Sequence, residues 1–131
     1  MIPADIAQRA LATYLDHGGL RRYLARRRRD VARRKEIVGS LLDWADLRMH
    51  AEATAIVRLA QETADAVVVD CARNGVLVDS LSTYWSGGAE TGIVFSYGRG
   101  SVGSVREAVA RIGAAIGDLS DDGALDEFSR R

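Results

Sequence analysis

Apolar residues recur along the chain with two different periods. Val102, Val105, Val109, Ile112, Ile116 and Leu119 step by threes and fours, a narrow stripe that predicts an amphipathic helix. Ser101 stands just before it, where a serine oxygen can accept an orphan amide hydrogen of the first turn. A similar spacing of Leu20, Leu24, Val31, Val38 and Leu42 predicts a long helix from about Leu20 to Ala45. Ile6, Ala10, Leu11 and Leu15 predict an earlier helix over 4–16, opened by Pro3 and Asp5 and broken at His17-Gly18-Gly19. A further helix is expected over 61–73, stopped by Asn74-Gly75 with Gly75 at the position after the cap.

Three shorter stretches read differently. Residues 53–59 (ATAIVRL), 76–78 (VLV) and 92–97 (GIVFSY) are compact, β-branched and bounded by turn residues, which predicts strands. Between the last two lies a polar, aromatic loop, Ser80 to Glu90, with a Gly87-Gly88 turn signal. The order is helix, helix, strand, helix, strand, strand, helix. Such short strands need a covering layer. The expected fold is therefore α+β: a small, mostly antiparallel sheet covered by helices on one face, preceded by a long N-terminal helix. No repeat or linker divides the chain, so residues 1–131 are expected to form one domain, with a frayed tail over 120–131.

Composition changes this picture only in places. The chain has 131 residues, 47% hydrophobic and 27% charged, enough for a core without disulfides or metals. Its single cysteine, Cys71, cannot pair within the chain and reads as an inert buried thiol. No apolar run approaches the ~20 residues of a membrane span. The opening MIPADIAQRA lacks the pattern of a signal peptide, so the expected location is the cytoplasm. Acidic and basic residues balance at 18 each, but Arg21 to Lys35 is strongly basic and Asp118 to Glu127 acidic. Arginines fall on nearly all sides of that helix, with Asp30 and Glu36 available as partners. A solvated structural helix is therefore preferred to a nucleic-acid interface.

Three stretches together resemble the C-terminal small domain of fold-type-I pyridoxal-phosphate (PLP) aminotransferases, especially the aminotransferase-like module of MocR-type (GntR-family) regulators. YLDHGGLRRYLARRRRDVARRKEIV (14–38) is similar to the long helix that leaves the large domain. ADAVVVDCARNGVLVDSLSTYW (64–85) is similar to the family's helix, glycine stop, strand and "LSxYY" loop. GIVFSYGRGSVGSVREAVARIGAAI (92–116) is similar to its last strand and helix.

The resemblance implies that the Schiff-base lysine, the aspartate facing the pyridine nitrogen and most phosphate ligands belong to a large domain outside these residues. Transamination by this chain alone is then not expected, and PLP is expected only if a large-domain partner supplies the lysine. Lys35, the sole lysine, sits in the arginine-rich helix and reads as a surface residue. The resemblance assigns DNA binding to a separate winged-helix domain. The expected partners are a second copy of the chain or a large-domain protein, with membrane and nucleic acid not expected.

Departures from the family pattern supply the candidate chemistry. Val94 stands where many aminotransferases carry a substrate-carboxylate arginine, and Arg99 lies in the turn beyond. Met49-His50-Ala51-Glu52-Ala53 replaces a glycine-rich approach to the middle strand, and Ser80 replaces a proline. His50 and Glu52 are the candidate acid/base pair. Ser82, Tyr84, Trp85 and Arg99 are the candidate ligand-binding residues, since pockets combine aromatic walls with a few polar groups. No Cys/His/Asp group has metal-ligand spacing. Gly98-Arg99-Gly100-Ser101 ahead of a helix could receive an anion but lacks the lysine and spacing of a phosphate loop.

Overall fold

The structure is a computed structural model that describes residues 18–84 and 90–129, with side chains as far as residue 120. The helix expected over 4–16, His17 and Trp85 lie outside the described residues. The elements in chain order are α1 (Gly19–Leu41), β1 (Leu47–His50), β2 (Thr54–Arg58), α2 (Gln61–Arg73), β3 (Asp79–Ser80), α3 (Leu81–Tyr84), β4 (Gly92–Ser96) and α4 (Val102–Ser129). The chain divides into two compact units, 1–33 and 34–131, and α1 runs through the boundary.

In the first unit the described part is the basic half of α1. Leu20, Tyr23 and Leu24 are exposed, as are Arg21, Arg22, Arg26 to Arg29 and Arg33. The apolar seam expected along this helix is buried only further on, at Val38 and Leu42.

The second unit is the α+β fold that the patterning predicts. Four antiparallel strands lie in the order β1-β2-β4-β3. Side chains alternate across a strand, and burial follows that period. Ala55, Val57, Ile93 and Phe95 are buried on one face, while Thr54, Ile56 and Val94 are half-buried and Ser96 exposed on the other. The buried face is covered by the apolar sides of α2 and α4. Val67 and Cys71 meet Val105, Val109, Ile112 and Ile116 there, with Val38 and Leu42 completing the core. Each such side chain contributes about 1.5–3 kcal/mol through removal from water.

The ends of these helices follow their sequence signals. Gly75, at φ 77°, lets the chain reverse after α2. Its amide then bonds to Ala72 O at 3.1 Å and that of Val76 to Cys71 O at 2.8 Å, the paired bonds of a Schellman stop. Ser101 Oγ accepts the amide hydrogen of Ser104 at 3.0 Å and so caps α4. Ser101→Ala is expected to lower stability by about 1 kcal/mol, read as a lower urea midpoint with unchanged slope.

The structure differs from the patterning at four points. The long helix ends at Leu41, not Ala45, because the Trp44 indole donates to Leu41 O at 3.1 Å and a turn follows. Strand β1 has no counterpart in the patterning: it is only four residues long, and its hairpin turn carries no Asn-Gly or Asp-Gly signal. The strand expected at 76–78 lies instead at Asp79–Ser80, because the amide of Val76 is taken by the stop of α2. The residues after it begin the one-turn helix α3 rather than a loop.

Candidate functional site

The face of the sheet opposite the helices carries the candidate chemistry. Strand register arranges it in rows. Arg48, Ile56, Val94 and Asp79 stand side by side across the four strands, and His50, Thr54 and Ser96 form the next row. Between these rows and α3 lies a cavity of about 390 Å3. Its floor is Ile56 and Val94, with Thr54 and Ser96 beside them, and Leu81 and Tyr84 wall it.

The segment from Asp79 to Tyr84 is tied together by hydrogen bonds. Tyr84 Oη donates to Asp79 Oδ2 at 3.0 Å. The hydroxyls of Ser80 and Ser82 meet at 2.8 Å, and Gln61 Nε2 at the start of α2 donates to Ser80 Oγ at 3.3 Å. Gln61 also donates to Asp65 Oδ1 at 2.7 Å, which anchors this segment to α2. The bond to Asp79, and then that carboxylate's charge, raise the pKa of the Tyr84 phenol above its ordinary value. Tyr84 thus remains a neutral donor across the physiological range.

His50 and Glu52 flank the β1–β2 hairpin. His50 is exposed on the open face, paired in register with Thr54. Glu52 sits at the turn with φ 61°, and Ala53 follows with φ 54°. These are left-handed conformations that glycine takes without steric cost, so the residues standing in the family's glycine-rich segment hold a glycine-like backbone. Glu52→Gly is expected to raise stability by about 0.5–1 kcal/mol, seen as a higher thermal midpoint.

Arg99 is separated from Tyr84 and His50. It lines a second cavity, of about 350 Å3, between α4 and the segment 75–77, where Leu77 is 88% exposed. The turn that carries Arg99 directs its carbonyls toward Arg34. This arginine, only 7% exposed, donates Nη1 to Tyr97 O at 3.2 Å and to Arg99 O at 3.1 Å, and Nη2 to Gly100 O at 2.5 Å. In the same turn the Ser101 cap takes the Ser104 amide, one of the donors that the start of α4 would offer an anion. Cys71 is fully buried in the core. Burial first and the charge of Asp70 second raise its pKa, against the opposing charge of Arg111, so the thiol is held protonated.

Two residues of the site carry no sequence signal of their own. Asp79 gains its place through its pairing with Val94 and the bond from Tyr84. Arg34 is one arginine among many; its trace is that it fills the helical step between Val31 and Val38 on the apolar seam.

Among the described residues around the cavity, none supplies a cation for a PLP phosphate or a lysine for its aldehyde. Lys35 is exposed on α1 and is not among the residues lining the cavity, and the one formal charge among the described lining residues is the carboxylate of Asp79, which repels a phosphate. Among the described residues no group of three or more His, Cys, Asp or Glu could hold a metal ion, and no helix is long and apolar enough to cross a membrane.

The chain is 38% identical over 115 residues to the HTH-type pyridoxine biosynthesis transcriptional regulator PdxR of Corynebacterium glutamicum. The match covers 85% of this chain and 25% of the regulator. This chain is related to a quarter of PdxR. Such identity supports a related domain, in line with the resemblance to the aminotransferase-like module of MocR-type regulators, and does not extend to PdxR's activity. No family model matches the chain.

Proposed function

We propose that the chain is an aminotransferase small-domain-like module without the PLP lysine, acting as a structural and interaction domain that pairs with a second copy or docks on a large-domain protein. The observation that carries this reading is the open face of the sheet. Ile56 and Val94 lie on the face away from α2 and α4, where among the described residues only the short α3 borders them, and Tyr84 beside them is 67% exposed. Apolar surface in such a position favours a partner, because covering it removes that surface from water. The relationship to one part of a longer regulator supports the same reading.

Affinity capture of the tagged chain from its own cells, read by mass spectrometry and paired with sedimentation of the pure chain, tests it. A dimer, or recovery of a PLP-binding large-domain protein, is the expected result. A monomer recovered alone overturns the reading.

A second reading is a small-molecule-binding protein that reuses the scaffold. The cavity of about 390 Å3 beside Tyr84 favours it, since that volume falls in the range of small-ligand sites.

A further inference from the structure

We propose that the cavity on the open face of the sheet selects an organic cation with an apolar body, a primary arylalkylamine in the simplest case, through the carboxylate of Asp79. The inference rests on the second, ligand-binding reading and names its ligand class. Three observations carry it.

The first is the charge of the lining. Among the described residues that line the cavity, Asp79 is the only formally charged one. The cations on the same face stand elsewhere. Arg48 and His50 are on β1, at the far end of their rows, and Arg48 is three strands from Asp79, about 14 Å away at the usual strand spacing. Arg58 faces Glu90, with Nη1 at 3.7 Å from Oε1. An anionic ligand would meet a like charge with no compensating cation among the described lining residues, whereas a cation completes the pair.

The second is the state of the carboxylate. Tyr84 Oη donates to Oδ2 of Asp79, which orients the group and leaves Oδ1 for another donor. An ammonium has donors and no acceptor, so it matches an acceptor-only partner.

The third is the floor. Ile56 and Val94 are neighbours in register, and they give a flat apolar surface next to the carboxylate. Val94 supplies apolar contact at the position where the family resemblance would place a carboxylate-binding arginine. The cavity thus favours an amine with a ring or short alkyl body over an amino acid, whose carboxylate would meet no cation among the described lining residues.

The test is a titration of the full 15N-labelled chain with benzylamine, benzyl alcohol and benzoate at neutral pH, following the backbone amides of Ile56, Val94 and Ser96. Saturable shifts with benzylamine are expected, with benzyl alcohol roughly fivefold weaker, the worth of one exposed charge pair. Benzoate should be weaker still. Asp79→Asn, which keeps an acceptor for Tyr84, should bring benzylamine down to the level of benzyl alcohol with an unchanged unfolding midpoint. Val94→Arg, a second variant on the cavity floor, should reverse the order of benzylamine and benzoate. Binding of benzoate or benzyl alcohol as tightly as benzylamine, or indifference of benzylamine to Asp79→Asn, overturns the cation preference while leaving a ligand site in place. Absence of saturable shifts with all three probes overturns the ligand-binding reading itself and the proposal with it.

Discussion

Gly92→Ala is expected to destabilise the fold by about 3 kcal/mol, a large share of the total for a domain of this size. Gly92 begins β4 with φ 157°, and a Cβ built there would lie 2.1 Å from Val57 O, 3.0 Å from Arg58 Cα and 3.0 Å from Val57 C. Every one of these atoms is backbone of the neighbouring strand β2, so no side-chain rotation relieves the clash. The strands must separate where Arg58 and Gly92 pair, next to the Val57–Ile93 pair that is fully buried in the core. The bond from the Leu59 amide to Thr91 O, at 3.1 Å, closes the same end of the ladder and would be lost with it. Gly75→Ala is the informative control. Gly75 has φ 77° but nothing within 4 Å of a built Cβ, so only the left-handed backbone cost of about 1 kcal/mol applies. Urea unfolding of the two variants should therefore show Gly92→Ala with clearly the larger loss. Equal losses would mean that the β2–β4 approach is not as close as the structure has it.

The contrast between these glycines also shows how the sequence could and could not be read. Gly75 follows a periodic helix and precedes a β-branched run, so its role at the stop of α2 is a local signal. The same holds for the stripe from Val105 to Ile116, for Ser101 and for the limits of α2, all of which depend on residues within a turn or two. Gly92 owes its necessity to Val57, 35 positions away by residue number, and nothing nearby in sequence records that contact. Strand β1 escaped for a related reason. Leu47 and Met49 do alternate with Arg48 and His50, but four residues give too short a run to separate from the end of a helix. The candidate site was legible in pieces. Ser82 and Tyr84 share one turn of helix, but the partner that gives Tyr84 its setting is Asp79, which the sequence did not mark. Arg99, grouped with them by resemblance, is carried to another cavity by the turn at the start of α4.

Arg34 is where removing a single side chain should cost nearly as much as Gly92→Ala. Its guanidinium is almost wholly buried and satisfies carbonyls of Tyr97, Arg99 and Gly100, in the turn between β4 and α4. Bonds from a charged donor are stronger than neutral ones, and carbonyls left behind without a donor cost their full desolvation. Arg34→Met fills much of the volume but supplies no donor, and is expected to lower stability by about 3 kcal/mol. Arg34→Lys keeps the charge but lacks the planar fork that spans Nη1 and Nη2, so it should recover only part of that loss. The location of the damage separates this account from a general loss of packing. Amide exchange in Arg34→Met should accelerate at Gly100 and in the first turn of α4 well before it does in α2, because the turn is held from outside by this arginine whereas α2 keeps its Schellman stop and its own core contacts. Uniform acceleration across both helices would instead make Arg34 a contributor to the core as a whole. Retention of normal exchange at Gly100 would mean that the Ser101 cap alone fixes the start of α4.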